Sequence, residues 1–230
     1  MELKETKKSR CPFLGFYHYG VILTYLSVAA AITGIYFSVG GRMEPRPVVG
    51  VICLLISGIC DSFDGAVART RKNRSKEDKL FGERIDSLSD LIAFGVAPTA
   101  IGFGMAINRW FFFPVFVLFI LCALILLSYF VVTVEIRMQD PNCGKRKFYE
   151  GLPVTNAAFI IPIFYLIATM FAPHSIGMTA TMVSGYLIVA IAFISKFKLK
   201  KPGVKAIIKI MIAIAILLSI LLAVNIAVNK

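Results

Sequence analysis

Four aspartates, Asp61, Asp64, Asp86 and Asp90, fall within the stretch CDSFDGAVARTRKNRSKEDKLFGERIDSLSD, residues 60 to 90, hard against two of the most apolar segments of the chain. Carboxylates gathered in this way repel one another and need a positive counterpart. Oxygen-only ligands suit the hard cations Mg²⁺, Mn²⁺ or Ca²⁺, and no His or Cys is spaced to recruit zinc. Two divalent ions bridged by the four aspartates is the arrangement expected here. Such a pair clamps a phosphoryl group and neutralises charge on the attacking and leaving oxygens of an in-line displacement.

The elements that carry these acids must be helices. In PVVGVICLLISGICDSFDGAVAR the helical pattern runs past Asp61 without a breaker until the charged residues near Arg71, so Asp61, Asp64, Gly65 and Ala68 share one face at i, i+3, i+4 and i+7. Gly82, Asp86 and Asp90 repeat at i, i+4 and i+8 in the next segment. The linker 70–81 between them is short and polar, which makes the two helix ends antiparallel neighbours with facing acidic sides. Gly65, Ala68 and Gly82 leave a trough beside the carboxylates, although helix–helix packing explains the two glycines equally well. Arg69 at the mouth is suited to a phosphate oxygen, and equally to anchoring by positive charge.

The setting is a membrane. Of 230 residues 58% are hydrophobic, mean hydropathy is +0.80, and runs free of Asp, Glu, Lys and Arg are long enough to cross a bilayer, which takes about 20 apolar residues. Splitting 151–195 at APHS, where Pro173 stops a helix, predicts seven spans near 21–40, 48–69, 88–107, 111–136, 154–172, 176–195 and 207–228. The reading is therefore all-α: a polytopic helical bundle, one membrane-embedded domain over 1–230. The polar start MELKETKKSR lacks the form of a cleavable signal, so the first span itself directs insertion. A net charge of +12 raises the possibility of nucleic acid, but its distribution argues otherwise. With a cytoplasmic N-terminus, 21 of the 25 Lys and Arg lie on inner segments and only Arg42, Arg46, Arg109 and Lys230 face out. That asymmetry orients a protein of the cell membrane and favours anionic headgroups, with no nucleic acid required. Five cysteines, scattered without C-x-x-C, read as structural filler.

DSFDGAVAR followed by GERIDSLSD resembles the CDP-alcohol phosphotransferase signature D-x-x-D-G-x-x-A-R, spacer, G-x-x-x-D-x-x-x-D, with all eight positions filled: Asp61, Asp64, Gly65, Ala68, Arg69, Gly82, Asp86 and Asp90. The twelve residues between Arg69 and Gly82 make a longer spacer than the family pattern commonly has, and the extra length falls in polar TRKNRSKEDKLF. IDSLSDLIAFGVAPTA and FYEGLPVTNAA are similar to blocks of the phosphatidylserine synthase branch. HYGVILTYLS stands where a Pro-Asn often precedes the first span, and VEIRMQD matches the arginine-rich block after the fourth only loosely.

The resemblance implies a six-helix core, to which the seventh span read from the apolar runs is a C-terminal addition, and transfer of a phosphatidyl or archaetidyl group from CDP-diacylglycerol or CDP-archaeol to L-serine with release of CMP. It assigns Asp61, Asp64, Asp86 and Asp90 to two Mg²⁺ or Mn²⁺ ions, Asp90 also as general base, and Gly65, Ala68, Arg69 and Gly82 to the CDP-lipid. It also implies a homodimer. A serine hydroxyl is a poor nucleophile at neutral pH and needs a carboxylate to accept its proton, which agrees with the role given to Asp90. The acceptor carboxylate needs a cation, for which Arg137 is the candidate among Arg137, Lys145, Arg146 and Lys147. Thr24 suits the nucleotide, although a hydroxyl within a span more commonly bonds its own helix. An active site at the cytoplasmic interface serves both a bilayer-held lipid and a water-borne acceptor. Two other readings remain: the same chemistry with glycerol 3-phosphate or an inositol phosphate, which would call for a tighter Arg/Lys cluster near Asp90, and a cation transporter, which would need polar residues continuing across the bilayer.

Overall fold

The structure is a computed structural model that describes residues 21–40, 44–70, 75–105, 112–139, 148–171 and 176–200, with isolated residues between 213 and 223. The helices are α1 (Ile22–Val39), α2 (Pro47–Thr70), α3 (Lys76–Asp90), α4 (Ala97–Gly104), α5 (Phe113–Gln139), α6 (Ala157–Phe171) and α7 (Ile176–Ile194). A π-helical segment, Leu91–Val96, joins α3 to α4, so these elements make six helical rods among the described residues. Five are long and apolar enough to cross a membrane, and the region Val154–Met170 is apolar but shorter. The expected polytopic all-α bundle is what the chain forms. The span expected at 207–228 lies mostly outside the described residues.

In a bilayer, apolar surface gains nothing by moving from lipid to protein, so close packing and hydrogen bonds hold helices together. The α1–α2 seam is built this way. Helix α1 buries Thr24, Ser27, Ala31, Gly34 and Ser38, a small and polar stripe at helical spacing. A Cβ on Gly34 would lie 2.9 Å from the Cβ of Cys53, and one on Gly50 would lie 1.8 Å from Ser38 Oγ. Between these contacts and the acidic end, the Ser27 and Ser57 hydroxyls meet at 2.7 Å, and each also reaches the other's backbone carbonyl. Meanwhile Ile22, Leu26, Ile32 and Tyr36 of the same helix are exposed, as lipid-facing side chains should be.

The third rod differs from expectation at its start. It begins at Lys76, well before the predicted 88, because Ser75 and Asp78 form a capping box: Asp78 N–H donates to Ser75 Oγ at 3.0 Å, and Ser75 N–H donates to the Asp78 carboxylate at 3.4 Å. The linker expected over 70–81 is correspondingly shorter, since α2 runs to Thr70. The π segment ends just before Pro98, which has no N–H to offer the carbonyl four residues back, and a wide turn at that point is a known response. Within the π segment and beyond it the rod presents Ala93, Phe94, Ala97 and Ile101 to the core.

The far side of the bundle packs aromatically. Tyr186 of α7 lies edge-on to Phe116 and Phe119 of α5, with ring centroids 5.2 and 5.4 Å apart, and donates its hydroxyl to the carbonyl of Pro98 at 2.6 Å. A short antiparallel ribbon, β1 (Phe148–Glu150) with β2 (Lys198–Lys200), is an addition that periodicity did not reveal. From it the chain enters α6 through Gly151, in the left-handed region at φ 79°, whose N–H bonds the carbonyl of Phe197 at 2.9 Å. A 3₁₀ turn, Val154–Asn156, follows directly after Pro153, and Pro162 lies inside α6.

Candidate active site

Where α2 and α3 meet, their order is reversed, the earlier acid of one facing the later acid of the other. Asp61 lies against Asp90, and Asp64 against Asp86, each pair within hydrogen-bonding reach. Asp61, Asp86 and Asp90, all part-buried, each offer a carboxylate oxygen within 4.8 Å of the other two. Asp64 is buried one turn further along α2 and is bonded by Thr24 Oγ1 of α1 at 2.9 Å. Asp61 accepts a hydrogen bond from Thr155 Oγ1 at 2.8 Å, across 94 residues of sequence. The four predicted acids thus converge from two helices, three in one cluster and the fourth adjoining it.

Asp86 Oδ1 is buried and accepts no hydrogen bond. A buried carboxylate oxygen without a donor is costly, and a bound cation is a usual remedy. The donor set is oxygen only among the described residues, as a hard divalent ion requires. Asp61, Asp86 and Asp90 are therefore compatible with a bound divalent ion, with Asp64 beside them.

Gly65 and Gly82 are half-buried on the faces that carry the acids. Ala68 and Arg69 occupy the final turn of α2 and Arg137 that of α5, with side chains outside the described residues. Arg84 of α3 pairs with Glu135 of α5, which brings the end of α5 that bears Arg137 beside the acidic helix. Thr24 departs from the default expectation for a hydroxyl in a span. It bonds a carboxylate on the neighbouring helix, because Gly34 and Gly50 let α1 and α2 approach closely enough for a short side chain to cross. Thr155 was not singled out from the sequence. Its partner lies too far along the chain for any local pattern to indicate, though it sits inside the block FYEGLPVTNAA.

Against this geometry, the family model described as CDP-alcohol phosphatidyltransferase matches residues 18–191, three-quarters of the chain. The chain belongs to that family. Among curated relatives, it is 36% identical over 152 residues to a Saccharomyces cerevisiae protein named CDP-diacylglycerol–serine O-phosphatidyltransferase, covering 62% of this chain and 53% of the relative. It is 34% identical over 146 residues to the archaetidylserine synthase of Methanothermobacter thermautotrophicus, covering 63% and 56%. A Mycobacterium leprae CDP-diacylglycerol–serine O-phosphatidyltransferase is 29% identical over 140 residues, covering 59% and 42%. The matched region spans about half the length of each of these relatives. The eight motif positions from Asp61 to Asp90 lie on α2 and α3 and fall within the matched residues.

Proposed function

We propose that this protein transfers a phosphatidyl-type group from a CDP-linked lipid to the hydroxyl of L-serine and releases CMP. The observation that carries the reading is the convergence of Asp61, Asp86 and Asp90 within 4.8 Å beside Asp64, with a buried oxygen of Asp86 left without a donor. The names of the relatives support serine as acceptor, and they include both an ester-lipid and an archaeal enzyme. Either CDP-diacylglycerol or CDP-archaeol fits.

Two divalent ions, Mg²⁺ or Mn²⁺, when bound by the four aspartates, would neutralise the pyrophosphate and polarise the phosphorus that is attacked. The protein's own groups do the rest. Asp90 accepts the proton of the serine hydroxyl as its oxygen bonds to the lipid-bearing phosphorus and the bond from that phosphorus to the CMP oxygen breaks. CMP leaves as the monophosphate, so the proton, the new ester bond and the leaving group all balance. Gly65, Ala68, Arg69 and Gly82 form the CDP-lipid side, and Arg137 meets the serine carboxylate. Because the lipid keeps its tails in the bilayer while serine arrives from water, we place the site at the cytoplasmic face of the cell membrane, in a homodimer.

The test is acceptor choice. Purified protein with a CDP-lipid and Mn²⁺ should release CMP when serine is supplied, with an equal amount of serine-containing lipid formed. Release that depends on glycerol 3-phosphate or inositol phosphate in place of serine would transfer the assignment to another acceptor.

A further inference from the structure

Threonines in the helices of this protein mostly bond their own backbone. Thr33, Thr133, Thr169 and Thr181 each donate to the carbonyl four residues back, at 2.7–3.0 Å. Thr24 and Thr155 do something else: each donates across an interface to Oδ2 of an α2 carboxylate, Asp64 and Asp61 respectively. The two arrive from different elements, the first turn of α1 and the 3₁₀ turn before α6, and they grip the two acids that lie one turn apart on a single helix face.

Both threonines stand on fixed supports. Thr24 is buried, and the Ser27–Ser57 clasp one turn along clamps α1 to α2. Thr155 is held from behind, since Gly151 N–H bonds Phe197 and Leu152 N–H bonds Ala192 at 3.2 Å, both beyond the 3₁₀ turn on the side of α7. It is also held from below. The start of α6 presses so closely on α2 that a Cβ on Gly58 would lie 2.7 Å from that of Ala158, one turn before Asp61.

A carboxylate has two oxygens and rotates about two torsions, so an aspartate with neither oxygen held must be ordered by whatever it binds. With one oxygen held by a rigid donor, the torsions are set in advance. Groups that orient ligands in this way commonly change metal affinity about 10–100-fold when removed.

We infer that Thr24 and Thr155 are positioning residues, which fix the Asp64 and Asp61 carboxylates so that α2 presents its acids to the divalent-cation centre already aimed. This rests on the proposed metal site and not on the identity of the acceptor. The two threonines touch neither lipid nor acceptor in this role. They act through the aspartates.

The test measures Mn²⁺ binding directly. Free Mn²⁺ is read by electron paramagnetic resonance while it is titrated into the purified full-length chain in detergent, for wild type, Thr155→Val, Thr24→Val, Thr155→Ser, Thr24→Ser and Thr33→Val. The valine variants at 155 and 24 keep the shape and lose the donor, and should weaken Mn²⁺ binding about tenfold or more. Serine at either position should restore binding to within about threefold of wild type, and Thr33→Val, whose hydroxyl serves only its own helix, should leave it unchanged. If a valine variant does not elute as a single species, Thr155→Ala or Thr24→Ala replaces it, since alanine also removes the donor. Valine variants that bind Mn²⁺ as wild type does would overturn the inference, as would serine variants that fail to rescue. Weakened Mn²⁺ binding in variants of a wild type that forms no serine lipid would leave the positioning role standing and remove serine as the acceptor.

Discussion

Replacing Asp90 with Asn separates the chemistry of this site from its architecture. The amide keeps the size of the side chain and one acceptor oxygen, but it carries no charge and takes no proton from a hydroxyl. If Asp90 accepts the serine proton, the loss is that of a general base, about 10²–10⁴-fold in kcat, or roughly 3–5 kcal/mol of barrier. The effect on stability should have the opposite sign. In the metal-free protein, an Asp90 oxygen within 4.8 Å of oxygens of Asp61 and Asp86 would repel each, if all were charged, by about 3.5 kcal/mol at an effective dielectric constant of about 20. Removing that charge relieves the cluster, so the chelator-treated variant should melt no lower than chelator-treated wild type. Turnover is followed as CMP release from a CDP-lipid with serine, and melting by fluorescence in detergent. Turnover within tenfold of wild type would refute the base assignment. A large fall in melting temperature with EDTA present would show that Asp90 supports the fold, and the electrostatic argument would fail.

Other outcomes follow from the packing. Gly104→Ala would place a Cβ 2.1 Å from the backbone carbonyl oxygen of Ser38, which cannot rotate away, and should cost about 1–3 kcal/mol, seen as a lower melting temperature. Ser57→Ala removes one hydroxyl of the α1–α2 clasp and should cost only about 0.6–1.7 kcal/mol, leaving turnover at saturating metal near wild type. Arg84→Ala breaks a pair whose arginine is 58% exposed, so its effect on stability should stay below about 1 kcal/mol. Treatment with EDTA should abolish CMP release, and added Mn²⁺ or Mg²⁺ should restore it, whereas activity that survives dialysis against EDTA would count against a metal-dependent transfer.

The sequence was most informative where chemistry and period coincide. Asp61, Asp64, Asp86 and Asp90 were legible because charge inside an apolar helix is rare and their spacing leaves a single face for each pair. The pairing of α2 with α3 followed from a short polar connection, and five of the spans followed from length and hydropathy alone. Less was visible where structure depends on contact between distant residues. The capping box at Ser75 was written in SKED but was obscured by the surrounding charges, so the third rod began earlier than its hydropathy suggested. The π segment needed knowledge of what Pro98 leaves unbonded. Thr155 and Thr24 gave no local signal of a carboxylate partner, because only the assembled bundle brings α1 and the entry to α6 beside α2.

The account depends most on a divalent-cation centre held between α2 and α3. Diffraction from crystals of the active protein grown with Mn²⁺, with data collected at the manganese absorption edge, tests it directly. Anomalous peaks within bonding distance of Asp61, Asp86 and Asp90, and lost in crystals soaked with EDTA, are the predicted result. A protein saturated with Mn²⁺ and turning over serine, but with no anomalous density among those carboxylates, would contradict it.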